Sequence, residues 1–262
     1  MAWRHSGLSV TGSGHAKTAT PCQDVHAILD TGCLLVLAVA DGAGSARYAE
    51  LAAVQATKQA LDWFQSGRPL PADAPAWEAE LRGLLGSLRD GLAAAADRLG
   101  CPARDLACTF LLALVTADAL IGVQVGDGAI VYRPPPGESA ADLALLIVPQ
   151  RGEYLNETVF LISDTCLQDA RFAYRASAPA DLALFSDGLQ MLALDMSVQP
   201  PAPHAPFFDP FFNFVRGQPD PARRADQLRV FLESERVCAR TDDDKTLVIA
   251  VRADAAGSES PV

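Results

Sequence analysis

Four places in the 262-residue sequence put an aspartate beside a hydrophobic run. Three read alike, as an apolar stretch closed by aspartate and glycine: Val39-Ala40-Asp41-Gly42, Val125-Gly126-Asp127-Gly128 and Leu184-Phe185-Ser186-Asp187-Gly188. The fourth is the triplet Asp242-Asp243-Asp244, set just before the stretch Thr246 to Val251. Carboxylate oxygens are the ligands that hard cations such as Mg2+ and Mn2+ prefer, and the end of a buried strand holds such a side chain rigidly. Glycine after the aspartate lets the chain turn sharply and lets its carbonyl approach a ligand. The competing reading is a hairpin turn, the usual meaning of an isolated Asp-Gly. It stays strong for Asp127, which lies between two strand-like runs, and is weaker for Asp41 and Asp187, which helical patterns follow. Three adjacent aspartates repel one another, and a bound cation would relieve that repulsion; a solvated turn or a helix cap is the other use of such a triplet. Together the four places suggest a carboxylate cage for a divalent metal.

The elements that must position these residues follow from periodicity. Leu34 to Ala40 is a continuous apolar run that reads as a central strand buried on both faces, with Asp41 at its end. Helical spacing predicts helices over Ala49 to Phe64 and Trp77 to Leu99, the second stopped by Gly100. Short β-type runs then predict a meander over Cys108 to Val115, Leu120 to Val125 and Ala129 to Tyr132. Further strands are expected at Ala144 to Val148, Thr158 to Ile162, Leu182 to Phe185 and Thr246 to Val251, with a helix near Asp226 to Glu235. Pro134 to Ser139 reads as a turn. Gln199 to Pro221, rich in proline and phenylalanine, reads as an ordered surface insertion without a regular element, its phenylalanines packed internally or docking a partner. Strands in runs and helices in runs suggest a layered α+β domain rather than repeating βαβ units. A single domain is expected over residues 1–254, with a small, polar, disordered tail at 255–262.

Composition narrows the function classes. Half the residues are apolar, enough for a large core, and the formal net charge is −11. An acidic chain is a poor partner for nucleic acid or an anionic membrane. The apolar runs are too short to span a bilayer and no basic-then-apolar leader opens the chain, so a cytoplasmic location is expected. Six cysteines are scattered without a Cys-x-x-Cys pair, which signals neither a disulfide framework nor a zinc site.

The ordered set Cys22-Gln23-Asp24, Val39-Ala40-Asp41-Gly42-Ala43-Gly44, Cys108-Thr109, Gly126-Asp127-Gly128, Ser186-Asp187-Gly188 and Asp243-Asp244-Lys245-Thr246 resembles the motifs of PP2C-type, metal-dependent serine/threonine protein phosphatases. The resemblance runs from about Gly12 to Arg252. The stretch Arg151 to Thr158, with its Gly-Glu-Tyr-Leu-Asn-Glu core, is similar to a segment of bacterial members. It implies an α-β-β-α sandwich of two mostly antiparallel sheets flanked by helices. It implies hydrolysis of phosphoserine or phosphothreonine in proteins by a water bridging two Mn2+ or Mg2+ ions, with a phosphorylated protein as partner, either a serine/threonine kinase or its target. Carried over by position, Asp41 bridges the two metals, the Gly42 carbonyl holds the second, and Asp187 and Asp243 complete the first. Asp24 supports the metal-bound water, and Asp127 contributes to a third, weaker site. Thr109 is a core residue. The chain lacks a Cys-x5-Arg phosphate cradle, so cysteine-based phosphatase chemistry is not expected.

The departures from the family pattern are specific. Gln23 stands where many members have glutamate, and an amide cannot supply an anionic ligand. The usual phosphate-gripping arginine is missing from Lys17-Thr18-Ala19-Thr20-Pro21, which leaves Lys17 and His15 as candidates to contact phosphate without a guanidinium fork. Ala43 occupies the place of a histidine that some members use as general acid, making His15 a candidate for that role against the plain reading of an exposed side chain. These departures motivate a second hypothesis, a catalytically weak phosphoprotein-binding module. A third, a metal-binding structural protein of unrelated fold, predicts that Asp41, Asp187 and Asp243 lie apart.

Overall fold

The computed structural model describes residues 2–138, 142–149 and 158–253. In chain order its elements are β1 (Trp3–Val10), α1 (Ser13–Thr18), β2 (Asp24–Asp30), β3 (Leu35–Asp41), α2 (Ala49–Gln65), α3 (Ala74–Leu99), β4 (Phe110–Val115), β5 (Leu120–Val125), β6 (Ala129–Arg133) and β7 (Ala144–Leu145). They continue with α4 (Cys166–Asp169), β8 (Arg171–Arg175), β9 (Asp181–Phe185), α5 (Gln190–Ala193), β10 (Leu194–Asp195), β11 (Ala202–Pro203), α6 (Ala205–Gly217), α7 (Pro221–Leu232), α8 (Glu235–Cys238) and β12 (Lys245–Arg252).

Two five-stranded antiparallel sheets carry the fold, one ordered β1-β12-β9-β6-β7 and the other β2-β3-β4-β5-β8. Strand alternation sorts their side chains into layers. Leu35, Leu37 and Val39 of β3 face Leu182 and Leu184 of β9 and Val248 and Ala250 of β12 between the sheets. The other face of β3, Val36, Ala38 and Ala40, packs on Leu81, Leu84, Leu85, Leu88 and Leu92 of α3 and on the alanines of α2. On the opposite side Leu247, Ile249 and Val251 of β12 pack on Phe208 and Phe212 of α6 and Leu228 of α7. This is the expected α-β-β-α sandwich, and a central strand buried on both faces is why Leu34 to Ala40 carries no polar residue.

Local signals set the helix ends. Asp73 caps α3 by accepting from the Ala76 N–H (3.0 Å), and Gly100 closes it in the left-handed conformation at φ 63°. Asp220 caps α7 in the same way through the Ala222 N–H, with Pro221 in the first turn, so this helix starts five residues before the expected Asp226.

Two sequence expectations are corrected. Thr158 to Ile162 is not a strand: Leu161 donates to the Cys108 carbonyl (2.9 Å) and Phe160 to Ser163 Oγ (3.0 Å), which bends the segment into turns while Leu161 still fills the core. Its apolar run is real, but it serves burial rather than a ladder. Gln199 to Pro221 is not irregular, because it holds α6, with Pro206 in the first turn and Pro210 tolerated inside. Phe207, Phe208 and Phe212 are buried, and Phe207 and Phe208 meet edge to face with centroids 5.0 Å apart. Burial of aromatic surface outweighs the cost of a helical proline, and the internal-packing reading of this segment holds. The expected strand at Ala144 to Val148 shortens to β7. The expectations for Arg151 to Glu157 and for the tail at 255–262 lie outside the described residues.

Candidate active site

The antiparallel registers bring the motif aspartates to one end of the sandwich. Asp24 opens β2, Asp41 ends β3, and the two are Cα partners in the ladder, so their side chains share a sheet face. That face looks between the sheets, as Leu37 and Val39 do. From the other sheet, Asp187 follows β9 and Asp243 precedes β12, strands that pair with each other. Asp127 sits in the turn from β5 to β6. There Gly126 at φ 99° adopts a backbone that other residues resist, and a Cβ on it would come within 2.6 Å of Thr109. Thr109 holds the end of β3 in turn: its Oγ1 accepts from the Asp41 N–H (3.1 Å) and its N–H donates to the Asp41 carbonyl (2.7 Å).

The sheets are stitched together beside the carboxylates. Ser186 Oγ donates to Asp24 Oδ2 (2.6 Å) and accepts from the Thr246 N–H (3.0 Å). Gly188 runs so close to β12 that a Cβ would lie 2.0 Å from the Asp244 carbonyl oxygen. Asp127 Oδ2 accepts from Thr158 Oγ1 (2.9 Å), and the Asp127 carbonyl accepts from Gln190 Nε2.

The electrostatics are those of crowded, buried carboxylates. Burial pushes Asp24 up to about 7, with the Asp244 charge adding to it and hydrogen bonds from Ser186 and Thr246 opposing it. Asp41 lies well above the ordinary range through burial and then through the charges of Asp24, Asp187 and Asp243. Asp187 rises to about 6, again by burial first, then by Asp127 and Asp243. The Asp41 and Asp187 carboxyls lie close enough for each to alter the other's proton affinity. Among the described residues, Asp24 Oδ1 and Asp187 Oδ1 are buried without a hydrogen-bond partner, as is Gln23 Oε1. Asp243 is exposed at the rim, and no three of these side chains already stand in coordinating geometry among the described residues.

A family model for protein phosphatase 2C matches residues 11–233, most of the chain and nearly all of these motifs. The chain belongs to the protein phosphatase 2C family. It is 33% identical over 261 residues to serine/threonine-protein phosphatase 3 of Escherichia coli (strain K12), covering 97% of this chain and all of that one. The serine/threonine phosphatase Stp1 from Staphylococcus aureus superposes with a TM-score of 0.65 at 15% identity, covering 96% of both chains. PppA of Pseudomonas aeruginosa does so with a TM-score of 0.61 at 18% identity, covering 96% of this chain and 98% of its own. The protein is a serine/threonine protein phosphatase. These relationships do not favour the binding-module hypothesis, and the unrelated-fold hypothesis falls with the sandwich and the meeting of Asp41 and Asp187.

Within this phosphatase the two candidate phosphate contacts differ. Lys17 is exposed on α1. His15, on the same short helix, is tied to the aspartate triplet through Asp244, whose Oδ2 its Nδ1 contacts at 2.9 Å. Sequence reasoning grouped Asp244 with the repelling triplet. The structure instead gives it backbone donors, the N–H groups of Gly12 (2.7 Å) and Gln23 (2.6 Å). Ser186, Thr246, Thr158 and Gln190 were not singled out for the site. The signal for the first two was present, since a hydroxyl residue flanks each of the last two aspartate motifs. The partners of Asp127 are distant in sequence and carry no local signal.

Proposed function

We propose that this phosphatase hydrolyses phosphoserine and phosphothreonine in a protein substrate, a serine/threonine kinase or one of its targets, in the cytoplasm, using two divalent ions, Mn2+ or Mg2+. Asp41 would bridge the ions, the Gly42 carbonyl would serve the second, Asp187 and Asp243 the first, and Asp127 a third, weaker one. The observation that carries this reading is the gathering of buried carboxylates with orphaned oxygens at one end of the sandwich. A lone pair buried without a donor costs free energy that a hard cation offsets, and oxygen donors alone suit Mg2+ and Mn2+. When bound, such ions lower the pKa of water and offset charge on the phosphoryl oxygens.

The chain's own residues have separate tasks. Asp24, fixed by Ser186 on Oδ2, keeps its Oδ1 free to accept a hydrogen bond from the attacking water. Thr109 holds the Asp41 backbone, and Gly188 lets β9 and β12 approach closely enough to bring Asp187 beside Asp243. His15 and Lys17 stand as donors to the substrate phosphate.

The test is hydrolysis of a phosphothreonine peptide with Mn2+, Mg2+ or chelator, beside Asp187→Asn. Activity should vanish with chelator and fall by at least about 100-fold in the variant, a loss on the scale of several kcal/mol of barrier. Chelator-resistant turnover, or a fully active variant, would contradict the metal reading.

A further inference from the structure

Lys245, the first residue of β12, is only 1% exposed, and among the described residues its Nζ has a single hydrogen-bond partner, the Cys238 Sγ of α8 at 3.8 Å. That partner is not a carboxylate. A buried ammonium is costly unless opposite charge and several hydrogen bonds meet it, so an amine held against one sulfur calls for a use. The thiol is placed to face it. Cys238 Sγ donates toward the Glu233 and Leu232 carbonyls (3.7 and 3.9 Å), which leaves a sulfur lone pair for the amine. Both ends of the contact are fixed by backbone. The Cys238 N–H donates to the Ser234 carbonyl (2.9 Å), and Lys245 is the Cα partner of Val10 in the ladder between β1 and β12. Cys238 is partly exposed, so a small oxidant can reach the sulfur from solvent while the amine meets it from the protein side.

The other cysteines lack this pairing. Burial pushes the Cys22 thiol up to about 12 and the Cys166 thiol up to about 11, and it raises Cys108 as well. Cys33 is exposed beside the Thr31 hydroxyl, 3.3 Å away. Hydroperoxides attack sulfur that carries negative charge, and a cation beside the sulfur stabilises that charge as the bond to oxygen forms.

We propose that Cys238 and Lys245 form an oxidant-sensitive modification site, in which a hydroperoxide oxidises the sulfur and the lysine amine captures it as a sulfur–nitrogen cross-link. In the first step a bond forms from sulfur to a peroxide oxygen and the oxygen–oxygen bond breaks, giving a sulfenic acid and water. The sulfur loses two electrons and the peroxide gains them. In the second step Nζ bonds to sulfur as the sulfur–oxygen bond breaks. The departing hydroxide takes one lysine proton and leaves as water, a second proton passes to solvent, and the oxidation state of sulfur does not change. A thiol reductant reverses the cross-link.

The bond closes a loop over Ala239 to Asp244, and that loop holds Asp243, whose Oδ1 accepts from the Asp244 N–H (2.8 Å). Drawing sulfur and nitrogen from 3.8 Å to bonding distance disturbs this turn, so the cross-link lowers phosphatase activity. That consequence rests on the reading of the aspartate cluster as the phosphatase site; the cross-link itself does not.

The experiment treats the full-length, metal-free protein with a slight excess of hydrogen peroxide, removes the peroxide with catalase, and then assays a phosphothreonine peptide with Mn2+. The intact mass should fall by two hydrogens, and a tryptic digest should join the peptide carrying Cys238 to one left uncut at Lys245. Turnover should drop by at least about 10-fold and return with dithiothreitol. Cys238→Ser should keep parent activity through the treatment. Lys245→Arg, whose guanidinium does not capture the sulfur, should instead accumulate a sulfenic acid that dimedone traps. Where that variant fails to fold, the parent digest and Cys238→Ser decide. A treated parent in which Cys238 is unmodified, or carries oxygen while trypsin still cuts at Lys245, overturns the site. A cross-linked protein with parent activity overturns the regulation. Untreated protein that is inactive with Mn2+ counts against the phosphatase reading and the regulation with it, whereas the cross-link is judged by mass alone.

Discussion

At Asp187 the proposed metal role would come at a cost to the stability of the metal-free protein. Its carboxyl is raised to about 6 by burial and by neighbouring carboxylates, and Asp24 is raised to about 7. A group whose folded pKa lies above its unfolded value binds its proton more tightly in the folded state. The associated stability is complete below about pH 4 and is lost as pH rises through the folded values near 6 and 7. Metal-free protein should therefore weaken over that window. Asp187→Asn removes one of the repelling charges, so in chelator at pH 8 it should be more stable than the parent by about 1 to 2 kcal/mol, a gain absent at pH 5. Urea denaturation at the two pH values reads this directly, and a variant less stable than the parent at pH 8 would mean that repulsion does not dominate there. The aspartates themselves were legible in the sequence, because each ends or opens a run whose apolar character announces a strand. Their supports were not: the Asp244 contacts with Gly12, His15 and Gln23 span more than 200 positions and exist only once β1, β2 and β12 are side by side.

Among the elements, legibility followed burial. β3, β4, β5 and β9 are buried along nearly their whole length and read plainly as apolar runs. β1, β2 and β8 went unread. They are edge strands with mixed burial, and sequences such as Trp-Arg-His-Ser-Gly-Leu-Ser-Val interleave polar side chains too irregularly for a clean period. α6 was hidden by its prolines. The approach of β9 to β12 at Gly188 yields a prediction for this scale. In Gly188→Ala the new methyl meets the Asp244 carbonyl, a backbone atom that no rotamer change can move. The substitution should cost about 2 to 3 kcal/mol in thermal or urea unfolding and lower phosphatase activity by at least about 10-fold, since Asp187 and Asp243 would be pushed apart. Parent-like stability and activity would show that the close approach is not needed.

For the molecule as a whole, the two sheets act as a frame that delivers carboxylates from both sides to one edge. β2 and β3 supply Asp24 and Asp41, β9 and β12 supply Asp187 and Asp243, and Ser186 crosses between them. Each half alone presents an incomplete set, so the site depends on the packing between the sheets. The sandwich itself is shared with Stp1 at 15% identity. His15 and the Gln23 N–H both bond to Asp244 beside this frame. The most direct test of the central claim is the anomalous difference density of crystals grown with Mn2+. Peaks bound by Asp41, Asp187 and Asp243 are expected, with Asp41 shared between two ions. Crystals saturated with Mn2+ that show no peak within coordinating distance of Asp41 and Asp187 would contradict it.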